Sequence, residues 1–210
     1  MLDAAAALAR LQSGNRRFVE GVRSIDTLIS HMRRDDLLDA QMPFAVVVGC
    51  SDSRVPVEMI FDQGLGDLFV IRVAGNIVAP SQVGSVEFAA ERYGVRLVVV
   101  LGHSRCGAIQ ATLEDLLDPS GGTSRNLRSI VDRIRPSVAG LLETGLRDDP
   151  AALALQASRA NVRTAANHLR HGSALLEKLV RENGLLIVGA HYSLETGEVE
   201  FFDGDLPGGA

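Results

Sequence analysis

The chain has 210 residues, a formal net charge of −5, 46% hydrophobic residues and 4% aromatic residues, with no tryptophan. That suits one α/β domain, or at most two small ones, around an aliphatic core. The acidic balance argues against a nucleic-acid footprint, which needs a basic patch. The longest apolar runs, FAVVVG, LVVVLG and LLIVGA, are far too short to span a membrane.

From the N-terminus, MLDAAAALARLQSGNRRFVEG has no basic region leading into a long apolar stretch, so no signal peptide is expected and the chain reads as cytoplasmic. Residues 2–20 read as a helix with Leu8, Leu11 and Phe18 on its apolar side. Such a leading helix either packs on its own domain or reaches to a partner subunit. Residues 44–49 and 67–73 read as buried strands, and 82–93 as a helix carrying Val83, Val86, Phe88, Ala89 and Ala90. A strand follows at 97–102. Apolar spacings of three and four predict a helix over 124–142, with Pro136 expected to kink or split it. Residues 151–182 read as helical with a possible break at Gly172, and 185–190 as another strand. The turn signal LETG before EVEFF predicts a hairpin into an antiparallel edge strand at 198–202. DPSGG at 118–122 and DDP at 148–150 are loops too short to be domain linkers.

The expected fold class is therefore α/β: a mostly parallel four-stranded sheet flanked by helices, with an antiparallel C-terminal edge strand and an N-terminal helical arm. One domain is expected over 1–210, with the arm at 1–40 and the core at 41–203.

The chemistry-bearing residues cluster in two stretches. VVVGCSDSRVP places Cys50, Asp52 and Arg54 just after one strand, and GHSRCGA places His103 and Cys106 just after another. Parallel strands bring their C-terminal ends to one edge, where α/β proteins usually carry their sites. The spacing of His103 and Cys106 suits two ligands on one turn at a helix start. Two thiolates and an imidazole are a zinc set by softness and count. No third cysteine exists, and His31, His168, His171 and His191 have no cysteine partner nearby in sequence. An open fourth position predicts a catalytic metal holding water of pKa about 7. Two thiolates leave the metal formally neutral and a weaker Lewis acid, so help from nearby groups is valuable. Asp52 could orient that water or could itself fill the fourth position, and Arg54 could hold it by a bidentate contact and choose between those states. The plainer alternatives are inert buried thiols, a disulfide, a structural zinc closed by Asp52, and an Asp52–Arg54 pair that merely caps a helix.

Cys50-Ser-Asp52-Ser-Arg54 with His103-Ser-Arg-Cys106-Gly107 resembles the C-x-D-x-R and H-x-x-C signature of the β-class carbonic anhydrases. ALARLQSGNRRFVEG, FDQGLGDLFVIRVAGN, GSVEFAAERYGV and IVGAHYSLETGEVEFF extend the resemblance from about residue 5 to 203. It implies reversible hydration of CO2 to bicarbonate and a proton by attack of zinc-bound hydroxide. Carried over by position, Cys50, His103 and Cys106 are the Zn2+ ligands, and Asp52 and Arg54 the catalytic dyad and gate. Family members form homodimers, often paired into homotetramers, which offers a role for the N-terminal arm.

The same resemblance assigns Gln41 as a substrate-contacting amide and Phe69 and Phe88 as an apolar wall for CO2; otherwise Gln41 is solvated and the two rings are core. A subset of the family binds bicarbonate at a noncatalytic Trp-Arg-Tyr site. Here Arg72 and Tyr192 stand at two of those positions, but the Trp position is Val47. The plant-type, open-zinc form without bicarbonate regulation is therefore favoured, with Arg72 and Tyr192 structural. No shuttle histidine is evident, and His168 and His171 read as a solvated helix face. The rival readings are a CS2 or COS hydrolase on the same scaffold and a noncatalytic zinc-binding or regulatory protein. A dinucleotide site is disfavoured because no G-x-G-x-x-G follows the first strand.

Overall fold

A computed structural model describes residues 2–29, 34–119 and 124–205. Part of the loop expected at 118–122, and His31, lie outside the described residues. The chain begins with α1 (Ala4–Val19) and the short α2 (Ile25–Ile29). It continues through β1 (Ala45–Gly49), α3 (Val57–Ile60), β2 (Leu68–Arg72), α4 (Pro80–Arg92), β3 (Leu97–His103) and α5 (Gly107–Leu117). The last part holds α6 (Arg125–Val138), α7 (Pro150–His171), α8 (Ala174–Glu182), β4 (Leu186–Tyr192) and β5 (Val199–Asp203).

The five strands lie in the order β2-β1-β3-β4-β5. The first four are parallel, and β5 pairs antiparallel with β4 after the turn that LETG signals. β1 and β3 are buried along their whole length, which is why their sequences are continuous apolar runs rather than alternating ones. Successive side chains point to opposite faces. Val47, Val99 and Leu101 pack with α1 and α3, while Val46, Val48, Val98 and Val100 pack with α4, α7 and α8. Each buried Val or Leu contributes about 1.5–3 kcal/mol of apolar burial.

Of the two roles open to the leading helix, α1 packs on its own sheet. Leu8 and Leu11 are buried in the cluster that holds Val47, Phe61 and Leu101. Gly14 permits this approach, because a Cβ there would lie 1.8 Å from the Phe61 carbonyl oxygen. Asp3 caps the helix by accepting from the Ala6 amide at 2.8 Å.

One local expectation changes and another holds. Pro136 does not split its helix: α6 runs through it to Val138 and then tightens into a 3-10 turn at Ala139–Glu143. In a last turn the missing N–H removes a single bond from a ladder that is already ending. Gly172 does end a helix, separating α7 from α8. No helix among the described residues is long and apolar enough to cross a membrane.

Candidate metal centre

The parallel register sets Gly49 beside Leu101, so β1 and β3 end side by side. Cys50 follows β1 directly, and His103 is the last residue of β3. Cys106 is the N-cap of α5. The His103–Cys106 pair therefore does not sit on one helical turn, as the spacing alone suggested; it brackets a strand-to-helix turn. Arg105 makes that turn tight, with φ at 55°.

The ligand atoms of Cys50, His103 and Cys106 all lie within 4.8 Å of one another, and all three residues are buried. The two sulfurs are 4.0 Å apart and unbonded, against roughly 3.8 Å for two thiolates on a tetrahedral zinc. The His103 Nδ1–H donates to the Ser104 carbonyl at 2.9 Å, because a carbonyl can only accept. That leaves the Nε2 lone pair buried with no hydrogen-bond partner. An orphaned imidazole lone pair beside two thiols is what a soft divalent cation satisfies. The Cys50 sulfur also accepts from the Gly75 amide at 3.3 Å. Hydrogen bonding from Cys106, with further help from the Gly75 amide, holds the Cys50 thiol below its ordinary value against the opposing effect of burial. The Cys106 thiol is pushed up by its bond to Cys50 and by burial. Around them, Ile77, Ile109, Ile134 and Leu153 supply a low-dielectric wall.

Asp52 sits at the rim, its carboxylate turned to Arg54. Arg54 Nε and Nη2 donate to its two oxygens at 2.9 and 2.7 Å, and the Arg54 amide adds a third bond at 3.0 Å. These bonds hold the Asp52 carboxyl well below the usual carboxylate range. Arg54 Nη2 also donates to the Arg105 carbonyl at 3.2 Å, tying the dyad to the other ligand segment.

The sequence profile of the carbonic anhydrase family matches residues 45–199. A carbonic anhydrase of Mycolicibacterium smegmatis is 41% identical over 196 residues, covering 93% of this chain and 91% of that protein. The chain belongs to the β-class carbonic anhydrases. In fold it is similar to a β-carbonic anhydrase of Aspergillus fumigatus, with a TM-score of 0.75 at 24% identity over 96% of this chain and 91% of that one. It is likewise similar to one of two tetrameric β-carbonic anhydrases of Sordaria macrospora, with a TM-score of 0.72 at 23% identity over 95% and 99%.

Within this carbonic anhydrase chain, the expected pocket residues Gln41, Phe69 and Phe88 gather around Tyr93. Gln41 Nε2 donates to the Tyr93 hydroxyl at 3.0 Å. Phe69 and Phe88 meet at 6.3 Å with their rings tilted by 43°, and both lie against Tyr93. Phe69 pairs with Val46, four residues before Cys50 and so roughly 13 Å along the strand. Strand register thus sets Phe69 away from the Cys50 end of its own sheet. The plain-core alternative does not fit Phe88, since it is 51% exposed.

The Arg72 guanidinium donates to the Cys50 carbonyl at 2.9 Å and the Asp52 carbonyl at 2.6 Å. Tyr192 is buried, and its carbonyl accepts from the Ser104 amide at 2.9 Å. Sequence reasoning missed Gly75 and Asn161. Gly75 has φ at 71° in the AGN turn, and its carbonyl accepts from Asn161 Nδ2 at 2.8 Å. No spacing pattern connects α7 to that turn. The only signal was the small AGN tripeptide itself.

Proposed function

We propose that Cys50, His103 and Cys106 hold zinc and that Asp52 and Arg54 orient the nucleophile for the family's hydration of CO2. The observation that carries this reading is the buried three-ligand cluster with an orphaned His103 Nε2, set beside an ionised, clamped Asp52. Zinc, when bound, lowers the pKa of water toward 7 and so supplies a nucleophile at neutral pH. Asp52 acts as acceptor only, because Arg54 keeps it ionised; it takes a hydrogen bond from the nucleophile and aims its free lone pair. The Arg54 fork also keeps both carboxylate oxygens off the fourth ligand position, which favours the open, plant-type form. Val47, fully buried in the sheet, and Arg72, spent on backbone carbonyls, support the absence of a regulatory bicarbonate site.

Gln41, Phe69 and Phe88 are read as lining the site of a second copy in a homodimer or homotetramer. Among the described residues β2 is an edge of the sheet, Phe88 is exposed, and Ile25, Leu28 and Leu38 on the N-terminal arm leave further apolar surface, as does Met42 just after it. Two free thiols support a reducing, cytoplasmic setting. The deciding experiment is stopped-flow CO2 hydration by the zinc-loaded protein beside Cys106→Ser. Turnover in the first and its loss with the metal in the second is expected; an inactive zinc-loaded protein would overturn the reading.

A further inference from the structure

The turn between the two metal ligands is gripped from outside the site. Ser104 and Arg105 are the only residues between His103 and Cys106. The Ser104 amide donates to the Tyr192 carbonyl, and its own carbonyl takes the His103 Nδ1 proton. Its hydroxyl accepts from the Leu194 amide at 2.9 Å and donates to Glu195 Oε2 at 2.8 Å. Arg105 Nε donates to Glu195 Oε1 at 2.7 Å. One carboxylate thus holds both residues of the turn, one oxygen each.

Glu195 is itself well anchored. It lies in the β4–β5 turn, closed by Ser193 N to Glu198 O and Gly197 N to Ser193 O, both at 2.9 Å. Asn15 of α1 pins that turn through the Gly197 carbonyl and the Val199 amide, each at 2.9 Å. From this fixed point two paths lead inward. Through Ser104 the grip reaches the carbonyl that sets the His103 tautomer and ring plane. Through Arg105, held in a left-handed conformation, it reaches the carbonyl that accepts from Arg54 Nη2.

We infer that Glu195 is a positioning residue for the metal centre, orienting His103 through Ser104 and the Asp52–Arg54 pair through Arg105. This rests on the zinc reading above. An exposed Glu–Arg pair contributes little to global stability, whereas partners that orient a ligand typically alter metal affinity 10–100-fold. The two effects can therefore be separated.

The test compares wild type, Glu195→Ala, Glu195→Gln and, as a control, Glu200→Ala. Glu200 makes a similar surface pair, with Arg159, at 2.8 Å on both oxygens. Zinc affinity is measured by competition with a chromogenic chelator, coordination by the absorption spectrum of the cobalt-substituted protein, and stability by thermal midpoint. Glu195→Ala should bind zinc about 10–100-fold more weakly with altered cobalt bands, at a midpoint no lower than that of Glu200→Ala. Glu195→Gln, which can still accept from Ser104, should fall between it and wild type. Wild-type affinity and spectrum in Glu195→Ala would overturn the inference, as would an equal loss of affinity in Glu200→Ala. A wild type that binds neither metal would overturn the zinc reading, and this inference with it.

Discussion

Arg54 closes a two-pronged fork on Asp52, with Nε to Oδ1 at 2.9 Å and Nη2 to Oδ2 at 2.7 Å. Two parallel charge-assisted bonds fix the plane of the carboxylate as well as its charge. Because the folded-state pKa is depressed, the pair's stabilisation is present above the ordinary carboxylate range. It is lost only as pH falls through the depressed value. At any pH where thiolates hold a metal, Asp52 is thus a pure acceptor.

Replacing Asp52 by Asn removes that charge and places donor hydrogens where an acceptor is needed. Turnover should fall about 10²–10³-fold, in the range of a lost positioned proton acceptor, with zinc content unchanged. Stopped-flow hydration alongside metal analysis checks this, and full activity in Asp52→Asn would remove the residue from the mechanism.

Lysine at position 54 keeps a positive charge but cannot form the fork. Arg54→Lys should lose roughly tenfold or more in kcat, because Asp52 is no longer held clear of the fourth ligand position. A crystal structure of the zinc-loaded variant should show the carboxylate rotated from its present plane. An Asp52 in the same place would assign the activity loss to something else.

Gly75 presents its amide to the Cys50 sulfur at φ 71°, where a Cβ would lie 2.8 Å from Ile134 Cδ1 and 3.0 Å from the Ala108 Cβ. Gly75→Ala should destabilise the fold by about 1–3 kcal/mol through overpacking and backbone strain, and should weaken zinc retention. Denaturant midpoints and chelator competition read the two effects separately.

His191 is buried, with Nε2 unpartnered, and faces Arg159 and Glu200. Burial first, then Arg159, lower it from 6.5 to about 4, while Glu200 and Glu195 oppose the shift. The unfolded chain therefore takes up a proton between pH 6.5 and 4 that the folded chain refuses. The stability this contributes is fully present above about pH 6.5 and is lost as pH falls toward 4. It amounts to no more than about 2 kcal/mol between pH 7 and 5. His191→Phe should flatten that part of the stability–pH curve. Urea midpoints at pH 7 and pH 5 that move in parallel for both proteins would contradict this.

If Phe88 serves a second copy's site, defects in Asp52 and Phe88 should complement. In a mixed dimer of Asp52→Asn and Phe88→Ala chains, one site carries both changes and the other carries neither. Unfolding and refolding the two inactive variants together should restore about a quarter of wild-type turnover, from random pairing of two chains. No recovery in the mixture would place Phe88 outside the partner's site.

The strands and the grouping of Cys50, His103 and Cys106 were legible because their signals are local. Apolar runs of five to seven residues mark β1 and β3, and two cysteines with a histidine at strand ends leave few chemical uses. The family resemblance added roles for Asp52 and Arg54, and their fork needs only a two-residue separation. The pocket residues were harder. Gln41, Phe69 and Phe88 were placed at the site by the family resemblance and not by any spacing in the chain. Parallel pairing instead puts Phe69 level with Val46, at the far end of the sheet from Cys50.

By itself, then, the sequence determined the sheet and singled out the Cys50, His103 and Cys106 cluster and the Asp52–Arg54 pair, since each depends on residue type and short spacing. Only the tertiary structure decided which lone pair of His103 is left for a metal, which amide meets the Cys50 sulfur, and that a carboxylate 92 positions beyond His103 grips the turn between the ligands. The hydrogen bond from Ser104 to Glu195 spans 91 residues and that from Asn161 to Gly75 spans 86. Such contacts are set by strand register and helix packing, and neither Glu195 nor Asn161 carries any local mark of them.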